Sequence, residues 1–176
     1  MKSPLRGIHM KTDLENVYFV DSSSDPVVLK IKGRASYLNC NPLNDFFDSM
    51  RMKSVQRIII DFEDCTGMDS TFLGLITGVA LEFQEADEEA CLALCHLGKR
   101  NWDLVHNLGL DKILQVIDNG ITNDGKSEEL QPVTSNKQVA DSKTILKAHE
   151  NLVIIQGSNE SKFQDVITFL KGVVKD

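Results

Sequence analysis

A change of period in the middle of the chain constrains its fold more than any other feature. Arg57-Ile58-Ile59-Ile60-Asp61-Phe62 is a short β-branched run bounded by charge, the pattern of a strand covered on both faces. After the turn residues Asp64 to Gly67 the spacing becomes helical, starting at Asp69-Ser70-Thr71. On a helical wheel Phe72, Ile76, Val79 and Phe83 share one face, with Leu73 and Ala80 beside them, and that face is assigned to the core. The other side carries Ser70, Gly74, Thr77, Gly78, Leu81 and Gln84. A solvated helix face carries Lys and Glu, and this one has no charge. Glycine inside a helix also costs about 1 kcal/mol against alanine. Two glycines four residues apart, below a hydroxyl, therefore predict close approach by a second surface. Periodicity leaves open whether that surface belongs to the same chain or to a partner.

The segment IIIDFEDCTGMDSTFLGLITG resembles the central motif of STAS domains, named for sulphate transporters and anti-sigma factor antagonists. Their pattern is an apolar strand, an acidic-polar turn, then Asp-Ser-Ser/Thr-Gly-Leu-Gly opening a helix. Asp69, Ser70, Thr71, Leu73 and Gly74 match it position by position, while Phe72 stands where the family usually has glycine. The wheel places Phe72 on the core face, away from Ser70. The resemblance spans about Val17 to Ile117. It implies a domain of the anti-sigma factor antagonist type, with Ser70 as the phosphorylated residue and Thr71 as the fallback acceptor. The implied partners are a serine-kinase anti-sigma factor and a phosphatase. The expected partner-binding face is Asp69, Ser70, Thr71, Gly74, Thr77, Gly78 and Leu81. Two other readings stand beside it: a STAS scaffold or oligomerisation protein with Ser70 unmodified, and a small-ligand or nucleotide-binding module using the same helix N-terminus. A serine at a helix start also has a purely structural reading, as the N-cap.

The flanking sequence completes an α/β pattern. Val17-Tyr18-Phe19-Val20 and Val27-Val28-Leu29-Lys30-Ile31 surround a polar turn and read as an antiparallel hairpin. Gly33 to Leu38 reads as a loop, and the stretch to Cys40 as a rim of the Ser70 site. Asn41 as N-cap and Pro42 in the first turn open an amphipathic helix over residues 42–53, with Leu43, Phe46, Phe47 and Met50 inward. Ala90 to Leu97 is a strand and Lys99 to Leu108 a helix with Gly109 at its end; Ile113 to Ile117 is a last short strand. The expected domain, residues 10–118, is thus a mixed sheet of about five strands with helices packed against it. Residues 119–142 are polar, with Gly120, Gly125 and Pro132, and read as a flexible linker. Residues 143–176 form a C-terminal helical extension. One apolar stripe there is Ile145, Leu146, His149, Leu152 and Val153, and a second is Phe163, Val166, Ile167, Leu170 and Val174. Helices this short need a surface to bury their stripes. That surface is either the same chain or a second copy, giving a homodimer through the C-terminal helices.

Composition narrows the function classes. The 176 residues suit one domain with extensions, 41% of them apolar and 26% charged. A net charge of −7, 6% aromatic residues and no basic cluster argue against direct nucleic-acid binding. No apolar run reaches the roughly 18 residues of a membrane span, and Met1 to Lys11 lacks the apolar core of a signal peptide, so a cytoplasmic protein is expected. Residues 1–9, ending in His just before Met10, read as an expression scar.

Cys40 and Cys65 are expected in loops near Ser70, and Cys91 and Cys95 on one face of a strand. Neither CxxC nor His-x-x-x-His spacing is present, so no metal is expected. His96, His106 and His149 read as ordinary surface or core-edge histidines. No Gly-x-Ser-x-Gly elbow surrounds Ser70, and no Walker loop or GxGxxG occurs; neither catalysis nor a cofactor is expected.

Overall fold

The alternation of apolar residues in the central run sorts its side chains between two unequal faces of a sheet. The computed structural model describes residues 16–118 and 130–175. Strands β1 (Tyr18–Asp21) and β2 (Val27–Ala35) form the expected antiparallel hairpin, with Tyr18 opposite Ile31. After helix α1 (Asn41–Met52) the chain enters β3 (Arg57–Met68), helix α2 (Ser70–Ala86) and strand β4 (Cys91–Cys95). Helix α3 (Lys99–Asn107) and a single 3-10 turn lead to β5 (Gln115–Ile117). Among the described residues the sheet has six strands in the order β5-β4-β3-β2-β1-β6, where β6 is Gln131–Pro132. Strands β2 to β5 run parallel, and β1 is antiparallel to both of its neighbours.

The main core lies on one face. Ile58, Ile60 and Phe62 of β3 join Leu29, Ile31, Leu92 and Leu94 there, under Phe46 and Phe47 of α1, Leu73, Ile76 and Phe83 of α2, and Val105 of α3. The expectation of a strand covered on both faces is corrected. The other face carries only a small apolar strip of Ile59, Ala93 and Cys95 with Ile117 against it. Beside the strip, Lys30 lies 3.3 Å from both Glu63 and Asp64, an arrangement suited to water.

Three further boundaries differ from expectation. β3 runs straight through the turn residues Asp64 to Gly67, and β2 continues to Ala35, because the strands pair as far as Ala35 opposite Met68. Ladder hydrogen bonds outweigh turn propensity here, with register shifts around Lys32 and Gly33 absorbing the mismatch. Cys65 therefore sits in a strand, not a loop. Asn41 is the first residue of α1, and Cys40 holds the cap position without a side-chain cap bond.

The second half of the segment read as linker lies on the domain; residues 119–129 fall outside the described residues. β6 supplies hydrogen-bond partners to the edge of β1, Ala140 N donates to Tyr37 O at 2.7 Å, and Asn41 N donates to Gln138 O at 3.1 Å. Sheet-edge backbone groups need partners, which gives a polar sequence a reason to lie flat. Helices α4 (Ser142–Ile155) and α5 (Asn159–Val174) follow, α4 against α2 and α5 against α4. Among the described residues no helix is long and apolar enough to cross a membrane.

Candidate functional site

The site is assembled where β3 hands over to α2. Asp69 is held in extended conformation, with its N–H donating to Ala35 O at 3.1 Å. Its Oδ1 accepts from Phe72 N at 2.9 Å, closing the helix cap, and its Oδ2 accepts from Tyr37 N at 2.8 Å. One carboxylate thus caps α2 and ties down the loop between β2 and α1, which forms the expected rim. Phe72 fills the core beneath, 0% exposed, its ring 6.4 Å from Tyr18 and 6.2 Å from Phe62. The side chain that departs from the STAS pattern is therefore a packing residue on the far side from Ser70.

Ser70 occupies the first position of the helix and is not its cap. Its Oγ lies 2.9 Å from His149 Nε2 on α4. The other ring nitrogen, Nδ1, lies 2.8 Å from the carbonyl oxygen of Ile145. A carbonyl only accepts, so Nδ1 carries a hydrogen; in the neutral ring Nε2 is the acceptor and the Ser70 hydroxyl donates. The imidazole is 4% exposed, with the Phe163 ring of α5 edge-on at 5.1 Å.

Down the same face α4 approaches α2 at a distance that only glycine permits. A Cβ on Gly74 would lie 2.0 Å from the carbonyl oxygen of Ala148, and one on Gly78 2.4 Å from Asn151 Nδ2. That amide donates to Gly74 O at 3.1 Å, a buried bond. Thr77 is 0% exposed and donates its hydroxyl to Leu73 O at 2.7 Å, and Leu81 is half-buried. Thr71 is 4% exposed, whereas Asp69 and Ser70 keep partial access to solvent. Of the expected face, Ser70, Gly74 and Gly78 meet α4 of the same chain, while Thr71 and Thr77 are buried.

Sequence reasoning passed over Ala148 and Asn151. The available signal was complementary: a glycine pair at helical spacing calls for a small residue opposite, and Ala148 lies one turn before the buried Leu152. His149, placed in the apolar stripe of α4 and read as a surface or core-edge histidine, is enclosed, while His96 and His106 are exposed and face Asp61 and Asp111, each at 2.8 Å.

The cysteines near the site are held as thiols. Burial, then the charge of Asp69, pushes Cys40 up to about 12, and burial raises Cys65. Among the described residues Asp61, Cys95 and His96 bring potential ligand atoms within 4.8 Å of one another on the open sheet face. His96 Nδ1 already meets Asp61, Lys30 stands 3.9 Å from the same carboxylate, and burial with the neighbouring carboxylates pushes Cys95 up to about 12. That cluster lies across the sheet from α2.

No protein-family model and no curated protein matches the chain. Among solved structures it is similar to the anti-sigma factor antagonist SpoIIAA in its unphosphorylated form, at 18% identity over 58% of this chain and 89% of that one, with a TM-score of 0.48. It is also similar to the Bacillus cell fate determinant SpoIIAA in the phosphorylated form, at 16% identity over 58% of this chain and 92% of that one, with a TM-score of 0.47. The C-terminal helices lie beyond the matched region.

Proposed function

We propose that this chain is a regulatory protein-binding module of the anti-sigma factor antagonist kind, switched by phosphorylation of Ser70, with the outer face of α2 as its docking surface. The observation that carries the reading is the division of labour at the helix start. Asp69 performs both the capping and the loop attachment, so the Ser70 hydroxyl is not needed to hold the α/β core together. Its neighbour Thr71 is enclosed, which favours Ser70 as the acceptor. The resemblance of the motif to STAS domains supplies the partner class: a serine-kinase anti-sigma factor, with a phosphatase to reverse the mark.

A phosphate at this position suits the N-terminus of α2 and opposes a docked protein. Unpaired N–H groups and the positive end of the helix dipole favour an anion. The same group adds about 1.5 to 2 negative charges beside Asp69, on a face otherwise without charge. Burying it without a cation costs several kcal/mol, which corresponds to roughly a hundredfold or more in affinity. A second reading is favoured by the seating of α4 on this face: a scaffold whose α2 surface is permanently closed and whose serine is unmodified.

Mass spectrometry of the protein isolated from the cells that make it separates the two. A peptide carrying one phosphate on Ser70 is expected. In pull-downs Ser70→Ala is expected to retain the partner and Ser70→Asp to lose it. No phosphate under any growth condition, with both variants capturing the same proteins as wild type, would establish the scaffold.

A further inference from the structure

We infer that α4, backed by α5, is the resident occupant of the docking face of α2, and that a phosphate on Ser70 and α4 on α2 exclude one another. The inference rests on the reading of Ser70 as the modified residue. It adds that α4 and a protein partner compete for the unphosphorylated face, and that the phosphate excludes both.

With Oγ 2.9 Å from His149 Nε2, a phosphoryl group on that oxygen needs the space the imidazole fills. The ring is enclosed between Ser70 and Phe163, and its Nδ1 is tied to Ile145 O. It therefore moves with its helix. The surface that a protein partner would use is filled as well. The Ala148 backbone lies on Gly74 with no room for a methyl group, and Asn151 holds the Gly74 carbonyl. A partner and α4 cannot share these atoms.

Along α2 the seat is extensive, with Ala148, His149, Asn151 and Leu152 all buried, so α4 lifts only when the phosphate takes the space of the imidazole. At its far end the turn into α5 is fixed separately, because Asn159 donates to Leu108 O at 3.0 Å and to Leu152 O at 2.8 Å. At its near end the segment before α4 is bonded to the domain through Gln138 and Ala140. Helix α4 is thus anchored at both sides of the Ser70 contact, so it can lift from α2 without leaving the molecule. The occupant a competing protein must mimic is a helix presenting a small residue to Gly74 and an amide donor to its carbonyl.

Hydrogen–deuterium exchange on the full chain tests this with Ser70→Ala, Ser70→Glu and Ala148→Glu. Ser70→Ala is expected to leave exchange over residues 142–155 within about twofold of wild type, whereas the two Glu variants raise it at least about tenfold with β2, β3 and β4 still protected. Wild-type exchange over 142–155 in both Glu variants would overturn the inference. So would equal acceleration of helix and strands, since tail and core would then open as one unit. Absence of phosphate on Ser70 in cells would remove the switch but leave these exchange results standing, so the two failures are distinguishable.

Discussion

Asp69 uses both carboxylate oxygens on backbone N–H groups, one in its own helix and one in the preceding loop, and this frees the adjacent serine. Replacing it with alanine removes a cap worth about 1 kcal/mol and leaves Tyr37 N without its charged acceptor. Urea denaturation of Asp69→Ala is expected to show a loss of about 2 kcal/mol and Asp69→Asn about half of that, because an amide offers one acceptor oxygen to the two N–H groups; equal losses would mean that a single acceptor contributes nothing. Buried thiols make a second prediction at this scale. Cys40 and Cys95 are pushed up to about 12 from an ordinary value of 9.0, so the folded state holds these protons more tightly than the unfolded chain does. The associated stability is complete below about pH 9 and is lost as the pH rises toward 12. Ellman's reagent at about pH 8 is therefore expected to leave Cys40 unmodified until the chain is denatured.

At the scale of elements, the contact of α2 with α4 is decided by backbone proximity. Gly74→Ala gains about 1 kcal/mol of helix propensity, but its methyl meets a backbone carbonyl that cannot rotate away, and overpacking of this kind costs typically about 1–3 kcal/mol. The net effect expected is destabilisation, seen as a melting temperature a few degrees lower. A melting temperature that rises would show that the helix does not sit on Gly74. Asn159 plays the corresponding part where α4 turns into α5, since its amide joins two carbonyls on different elements. Asn159→Ala leaves both buried acceptors unpaired and is expected to cost about 2 kcal/mol or more, measured by urea denaturation, against a fraction of that for a surface substitution such as Lys175→Ala.

For the whole molecule, the sheet organises the division between a working face and an open one. Helices α1, α2 and α3 bury one side, and the Ser70 site emerges at the edge of that layer; the other side keeps Lys30 among Asp61, Glu63 and Asp64. The chain then passes along the β1 edge as β6 and returns over α2, so α4, backed by α5, covers the outer face that α2 presents.

The order of strand and helix from Tyr18 to Ile117 was legible from the residues alone, because a period of two or of 3.6 is a local property of the backbone. The core face of α2 was legible for the same reason, as was the oddity of a glycine-bearing outer face without charge. Turn residues misled at Asp64 to Gly67, where a parallel neighbour supplied ladder bonds that no local propensity reports. Composition likewise could not show that Gln131 and Pro132 complete a sheet edge. Which surface covers Gly74 lay beyond any local pattern. Ser70 and His149 stand 79 residues apart, and Gly74 and Asn151 stand 77 apart. Residue spacing determined that the α2 face would be closely approached; only the packing of the complete chain, by bringing Ala148 onto a glycine, decided that the approaching surface is its own.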